Sequence, residues 1–162
     1  MSTQAPKFAA TDIPSSARIA IAAARFNADI VDKLLDGCLE RLKRLGIGGP
    51  RVEVHHVPGA FELPLAAQAL ARTKRFAAVI CLGAVIRGDT PHFDYVAGEC
   101  ARGIAAVSLA ESLPVIFAVL TTNDHQQALD RIGGSHGHAG ERAAEAAVEM
   151  IALLGRIQTA AE

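Results

Sequence analysis

The chain has 162 residues, 51% of them hydrophobic and 20% charged, with a net charge of -1 at neutral pH. That length fits one domain with a real core. The balanced charge, and 4% aromatics with no tryptophan, exclude an electrostatic case for nucleic acid or an anionic membrane and leave no base-stacking platform. No apolar run approaches a membrane span, and Met1 to Thr11 lacks the basic-then-apolar build of a signal peptide; the expected compartment is the cytoplasm. So large an apolar share also points to other subunits covering part of the surface.

Residues 1–17 are small and polar with Pro6 and Pro14, which reads as an N-terminal arm or one extra edge strand. Arg18 to Ala24 is a short apolar run and the first expected buried strand. From Asn27, the expected N-cap, Ile30, Val31, Leu34, Leu35, Cys38, Leu42 and Leu45 recur at helical intervals until Gly46 stops them. Arg51 to Val57 reads as a second strand. Pro58, Gly59 and Pro64 break it before a short helix to Ala71. Phe76 to Ile86 is the third strand, and its continuous apolar character predicts a central position covered on both faces. Arg87-Gly88-Asp89-Thr90-Pro91-His92 follows at once, with Thr90 as the expected N-cap and Pro91 at the first helical position.

The helix after Pro91 carries Phe93, Val96, Ala97, Cys100, Ile104 and Val107 on one face and ends before Pro114. Val115 to Leu120 is the fourth strand, and Thr121 to Asp124 caps a short helix running towards Arg131. Gly133 to Gly140 reads as a loop, and the last helix runs from about Glu141 to Leu154. The domain thus spans 18–156, with 157–162 as a C-terminal tail. Cys38, Cys81 and Cys100 are odd in number, lack metal-type spacing and fall on apolar faces, so buried free thiols are expected.

Strands alternating with helices give an α/β fold with a parallel sheet covered on both faces. Ligands of such sheets bind beyond the carboxyl ends of the strands. Four segments converge there: Arg25-Phe26-Asn27, Pro58 to Glu62, Arg87 to His92, and Thr121 onwards with Arg131. An arginine beside a helix start suits phosphate, an exposed phenylalanine suits a flat ring, and His92 can move protons near neutral pH. Lys7, Lys33, Lys43 and Lys74 all miss the strand ends, so any imine nitrogen must come from the substrate. His55-His56 and His136-x-His138 lack a third ligand at fixed spacing, which argues against a metal. The Rossmann and Walker glycine patterns are absent.

Taken together, Arg25-Phe26-Asn27, Val57-Pro58-Gly59-Ala60-Phe61-Glu62-Leu63-Pro64, Gly83 to Tyr95, Leu120-Thr121-Thr122 and Gln127-Ala128-Leu129-Asp130-Arg131 resemble the 6,7-dimethyl-8-ribityllumazine synthase family of riboflavin biosynthesis. The resemblance runs from about residue 18 to 154. It implies a flavodoxin-like three-layer α/β/α sandwich with a four-stranded parallel sheet in the order 2-1-3-4. It implies condensation of 5-amino-6-(D-ribitylamino)uracil with 3,4-dihydroxy-2-butanone 4-phosphate, releasing phosphate and water, with no cofactor and no metal.

The resemblance also assigns roles. Phe26 stacks on the pyrimidine with Asn27 beside it, and Ala60, Phe61 and Glu62 hold the ring and ribityl chain. Ala84, Val85 and Ile86 meet the pyrimidine edge; Asp89, Thr90 and Arg131 lie at the phosphate; His92 shuttles protons. Phe117 comes from a neighbouring subunit, because the family places its sites between protomers of a homopentamer, alone or stacked into a 60-subunit shell, and association with riboflavin synthase is a further expected partnership. Two departures stand out. His138-Ala139-Gly140 replaces the family's common Asn-Lys-Gly, which motivates a second reading as a flavin-storing protein without turnover. Asp89, a carboxylate beside a phosphate, leaves Thr90 and the backbone N–H groups as the expected phosphate ligands.

Overall fold

The computed structural model describes residues 13–160. Its centre is a parallel sheet of four strands, β1 (Ile19–Ala24), β2 (Val52–Val57), β3 (Ala78–Ile86) and β4 (Val115–Thr122), in the order β2-β1-β3-β4. Helices α1 (Ala28–Arg44) and α5 (Ala139–Thr159) cover one face, and α2 (Leu63–Arg72) and α3 (His92–Glu111) the other. The expected three-layer sandwich and strand order are both present. The proposed N-terminal edge strand falls mostly on residues outside those described, and 13–17 form no strand.

Alternation along the strands produces the two cores. Ile19, Ile21, Ile80 and Leu82 point towards α1 and α5, while Ala20, Ala22, Val79 and Cys81 point towards α2 and α3. All eight are wholly buried, and each large side chain among them contributes about 1.5–3 kcal/mol of transfer free energy. β1 and β3 are the interior strands, which is why their sequences are apolar on both faces. Cys38, Cys81 and Cys100 are buried free thiols, as expected; burial pushes Cys38 up to about 12 and Cys100 up to about 11.

Small residues set the helix spacing. A side chain at Gly140 would meet the Leu34 carbonyl of α1 at 2.1 Å, and one at Gly37 would meet the His138 ring at 2.1 Å. On the opposite face, Gly103 of α3 lies against Pro64 of α2, at 2.7 Å from where its Cβ would stand.

Several boundaries differ from the sequence expectation; β4, for one, takes in Thr121 and Thr122, which the sequence reading assigns to the cap of the following short helix. β3 starts at Ala78, because the Phe76 ring is drawn under the guanidinium groups of Arg75 and Arg18, 4.7 and 5.9 Å from its centroid. Residues 133–140 are not simply a loop: β5 (Ile132–Gly134) and β6 (Gly137–His138) pair antiparallel there, with Gly133 and Gly137 at φ 103° and 73° making the reversal. α5 extends both earlier and later than Glu141–Leu154, since its last turns, with Ile157 55% exposed, continue without the apolar pattern that marks a buried face.

Candidate active site

Beyond the carboxyl ends of β1, β2 and β3 lies a cleft of about 560 Å³. The first wall comes from the β1–α1 turn. The Arg25 N–H donates to the Val57 carbonyl at 2.8 Å and the Phe26 N–H to the Pro58 carbonyl at 3.1 Å, so the ends of β1 and β2 are tied together. Asn27 then adopts a left-handed conformation, φ 57° and ψ 48°. Asparagine tolerates this better than most residues. It holds the N-cap position of α1, as expected, but its side chain does not cap the helix; Nδ2 donates instead to the Ala84 carbonyl at 2.8 Å, pinning the turn to the end of β3. The Phe26 ring is left 70% exposed at the cleft.

The second wall is the turn after β2. Pro58 and Gly59 lead into one 3-10 turn, Ala60–Glu62, and then α2. Glu62 closes that turn by accepting the Gly59 N–H on Oε2 at 2.9 Å. Glu62 thus stands on the cleft while capping its own turn. Phe61, 58% exposed, and buried Ala60 line the same wall.

The floor is Ala84, Val85 and Ile86 at the end of β3, continued by Gly88, Thr90 and His92. Thr90 is not the N-cap of α3. The cap position is Pro91, the helix begins at His92, and no side chain caps it. The Thr90 hydroxyl is therefore not spent on the helix; the Asp94 N–H donates to the Pro91 carbonyl at 3.0 Å, and the amides before it remain for a ligand at the positive end of the helix dipole.

Of the residues expected in the site, Phe26, Asn27, Ala60, Phe61, Glu62, Ala84, Val85, Ile86, Thr90 and His92 converge on this cleft. Asp89, Phe117 and Arg131 do not line it. Asp89 is exposed between two lining residues. Phe117 lies on the edge strand β4, opposite Cys81, and is 44% exposed. Arg131 follows α4 (His125–Leu129), half-buried, with its carbonyl accepting the Ala139 N–H at 2.7 Å. The lining contains the Glu62 carboxylate but no lysine or arginine.

Sequence reasoning missed Tyr95 as a lining residue and read Phe93 and Val96 only as core positions, although all three stand on the cleft. The signal was available in helical spacing: Tyr95 and Val96 lie three and four residues after His92 and share its face. His125 also escaped notice. Its Nε2 lies 2.5 Å from Asp29 Oδ2, joining the first turns of α4 and α1, and this bond holds the Asp29 carboxyl below its ordinary range.

The chain was compared with known proteins. A family model described as 6,7-dimethyl-8-ribityllumazine synthase matches residues 16–155. A 6,7-dimethyl-8-ribityllumazine synthase of Syntrophus aciditrophicus (strain SB) is 51% identical over 145 residues, covering 90% of this chain and 94% of that protein. With a match across nearly all of the described fold and a relative of that identity over almost its whole length, the chain belongs to the 6,7-dimethyl-8-ribityllumazine synthase family.

Proposed function

We propose that this chain condenses 5-amino-6-(D-ribitylamino)uracil with 3,4-dihydroxy-2-butanone 4-phosphate to form 6,7-dimethyl-8-ribityllumazine, phosphate and water, in the cleft at the ends of β1, β2 and β3. One observation carries the reading: aromatic Phe26, the Ala60–Glu62 turn, the apolar end of β3 and an uncapped helix start beside His92 all border one cavity of about 560 Å³. A flat apolar-edged ring fits between Phe26 and Val85–Ile86, polyol hydroxyls fit the Glu62 side, and a phosphate fits the amides around Thr90.

In that arrangement the 5-amino group of the pyrimidine attacks the ketone, and the carbonyl oxygen leaves as water when the imine forms. A carbon-bound proton is then removed as the C–O bond to phosphate breaks. Elimination leaves an enol that tautomerises to a ketone; the ribityl-bearing nitrogen attacks that carbonyl carbon to close the second ring, and the carbonyl oxygen leaves as a second water. His92 relays protons in these steps, a contribution of typically 10²–10⁴-fold. Holding two reactants in register supplies much of the rest. The amine belongs to the substrate, so the absence of lysine from the cleft is no obstacle.

The cleft of one chain has no lysine or arginine for the phosphate. Arg131 and Phe117, which do not reach their own chain's cleft, are the residues a neighbouring protomer would supply in a homopentamer. A 60-subunit shell, association with riboflavin synthase and a cytoplasmic location accompany this reading; no helix among the described residues is long and apolar enough to cross a membrane. The test is turnover of the purified protein with both substrates. The expected result is lumazine formation well above the uncatalysed condensation, falling about 10²-fold or more in His92→Ala. Tight flavin binding without turnover would instead favour the storage reading. Mixing His92→Ala chains with Phe117→Ala chains during assembly should restore part of the rate if sites are shared, and no recovery would refute a shared site.

A further inference from the structure

Arg87 follows β3 directly and is the cation nearest in sequence to the expected phosphate turn, yet it does not line the cleft. The geometry points to Arg87 as a positioning residue, a clamp that holds the turn bearing Thr90 and His92 against the β4–α4 connection and so sets the phosphate end of the site. This rests on the reading that the substrates meet in the cleft beside His92.

Four contacts make the clamp. The Arg87 backbone N–H donates to the Thr122 carbonyl at 2.9 Å. Its Nε donates to Asn123 Oδ1 at 3.2 Å, and its Nη2 to Asp94 Oδ1 at 3.1 Å. The guanidinium lies over the Phe93 ring, 4.2 Å from the centroid. Phe93 and Asp94 are the two residues after His92, in the first turn of α3, and Phe93 itself borders the cleft. Asn123 is in turn fixed, since its N–H donates to Gln127 Oε1 at 2.9 Å. One planar side chain thus ties the end of β3, the start of α3 and the end of β4. With no side-chain cap on that first turn, the clamp adds to the packing of Phe93 and Val96 against the core.

The same contacts argue against Arg87 as the phosphate ligand, because Nε and Nη2 are bonded to Asn123 and Asp94 and the guanidinium is held on the Phe93 ring, off the cleft lining. They also require arginine in particular: lysine carries the charge but cannot span two acceptors while stacking flat on a ring. The Arg87–Asp94 pair is exposed, 43% and 62%, so it adds little to global stability. Its effect should appear in the kinetics, where a misplacement of about 1 Å costs up to ~100-fold.

The experiment compares Arg87→Met, Arg87→Lys and His92→Ala with the wild type, varying each substrate in turn. For Arg87→Met the expected result is kcat lower by about tenfold to a hundredfold and a raised KM for the butanone phosphate. The KM for the pyrimidine, which rests on other elements, should stay within about twofold, and Arg87→Lys should behave like Arg87→Met. Adding Asn123→Ala to Arg87→Met should lower the rate no further, since both remove one interaction. Full recovery in Arg87→Lys would overturn the clamp in favour of a simple charge effect. Wild-type kinetics in Arg87→Met alongside a disabled His92→Ala would overturn the clamp and leave the site standing; wild-type kinetics in both would overturn the site assignment as well. If Arg87→Met does not fold, Asn123→Ala alone should raise the KM for the butanone phosphate, and an unchanged value would refute the clamp.

Discussion

Replacing Gly140 by alanine should destabilise the protein far more than the same change at Gly155, although both glycines lie within α5. At Gly140 the added Cβ would stand 2.1 Å from the Leu34 carbonyl oxygen, 3.0 Å from its carbon and 3.2 Å from the Cys38 nitrogen. All three are backbone atoms of α1, so no side chain can rotate away. Relief requires α5 to move from α1 by about 1 Å, loosening Ala143, Ala144, Ala147 and Val148 in the core. Overpacking of this kind costs roughly 1–3 kcal/mol or more, against a helix-propensity gain of at most ~1 kcal/mol. At Gly155 nothing lies within 4 Å of the new Cβ, so only the gain remains, about 0.5–1 kcal/mol. The propensity gain is common to both, so the two variants should differ by about 1–3 kcal/mol or more, or several degrees in melting temperature, with Gly140→Ala the less stable. Urea unfolding at one fixed protein concentration measures this, because any assembly makes the midpoint concentration-dependent. If Gly140→Ala is as stable as Gly155→Ala, the close approach of α1 and α5 is wrong.

Two further perturbations separate the turn chemistry from the surface charge. Asn27→Ala loses the bond to Ala84 and places alanine at φ 57°, for about 2 kcal/mol in total; Asn27→Gly should recover roughly half, and both should raise the KM for the pyrimidine by freeing Phe26. Equal stability of the alanine and glycine variants would contradict the left-handed assignment. Glu111 accepts from Arg72 at 2.9 Å and from Lys74 at 3.4 Å, and the Arg72 bond first of all holds its carboxyl below its ordinary value of 4.5. A lowered folded value means that its stabilisation is present above the ordinary carboxylate range and lost as pH falls through the lowered value. Melting temperature between about pH 5 and pH 2 should therefore fall less steeply in Glu111→Gln than in the wild type; identical slopes would remove Glu111 from the acid response.

The sheet was legible because interior strands leave a direct mark. Residues 19–24 and 78–86 are apolar on both faces for the physical reason that both faces are covered. Local capping was less legible. Asn27 and Thr90 both carry side chains suited to an N-cap, but Asn27, though at the N-cap of α1, commits its side chain to Ala84, and Pro91 takes the cap position from Thr90. The bond to Ala84, 57 residues on, cannot be seen within a few residues of sequence, whereas Pro91 stands next to Thr90 and either could take the cap. The β5–β6 pairing was hidden for a similar reason, since its glycines serve a reversal as readily as an irregular loop. The cleft's own-chain wall followed from strand ends and motif resemblance together, whereas the role of Arg87 depended on Asn123, 36 residues away. No spacing rule connects those two positions.

The central claim is that two substrates meet in the cleft at the ends of β1, β2 and β3. A crystal structure with 5-amino-6-(D-ribitylamino)uracil and inorganic phosphate, a pair that cannot react, tests it most directly. The expected result is the pyrimidine ring stacked on Phe26 against Val85 and Ile86, the ribityl chain along Ala60 to Glu62, and phosphate at the Gly88–Thr90 amides within reach of His92. A pyrimidine bound elsewhere, or phosphate held away from the start of α3, would contradict it.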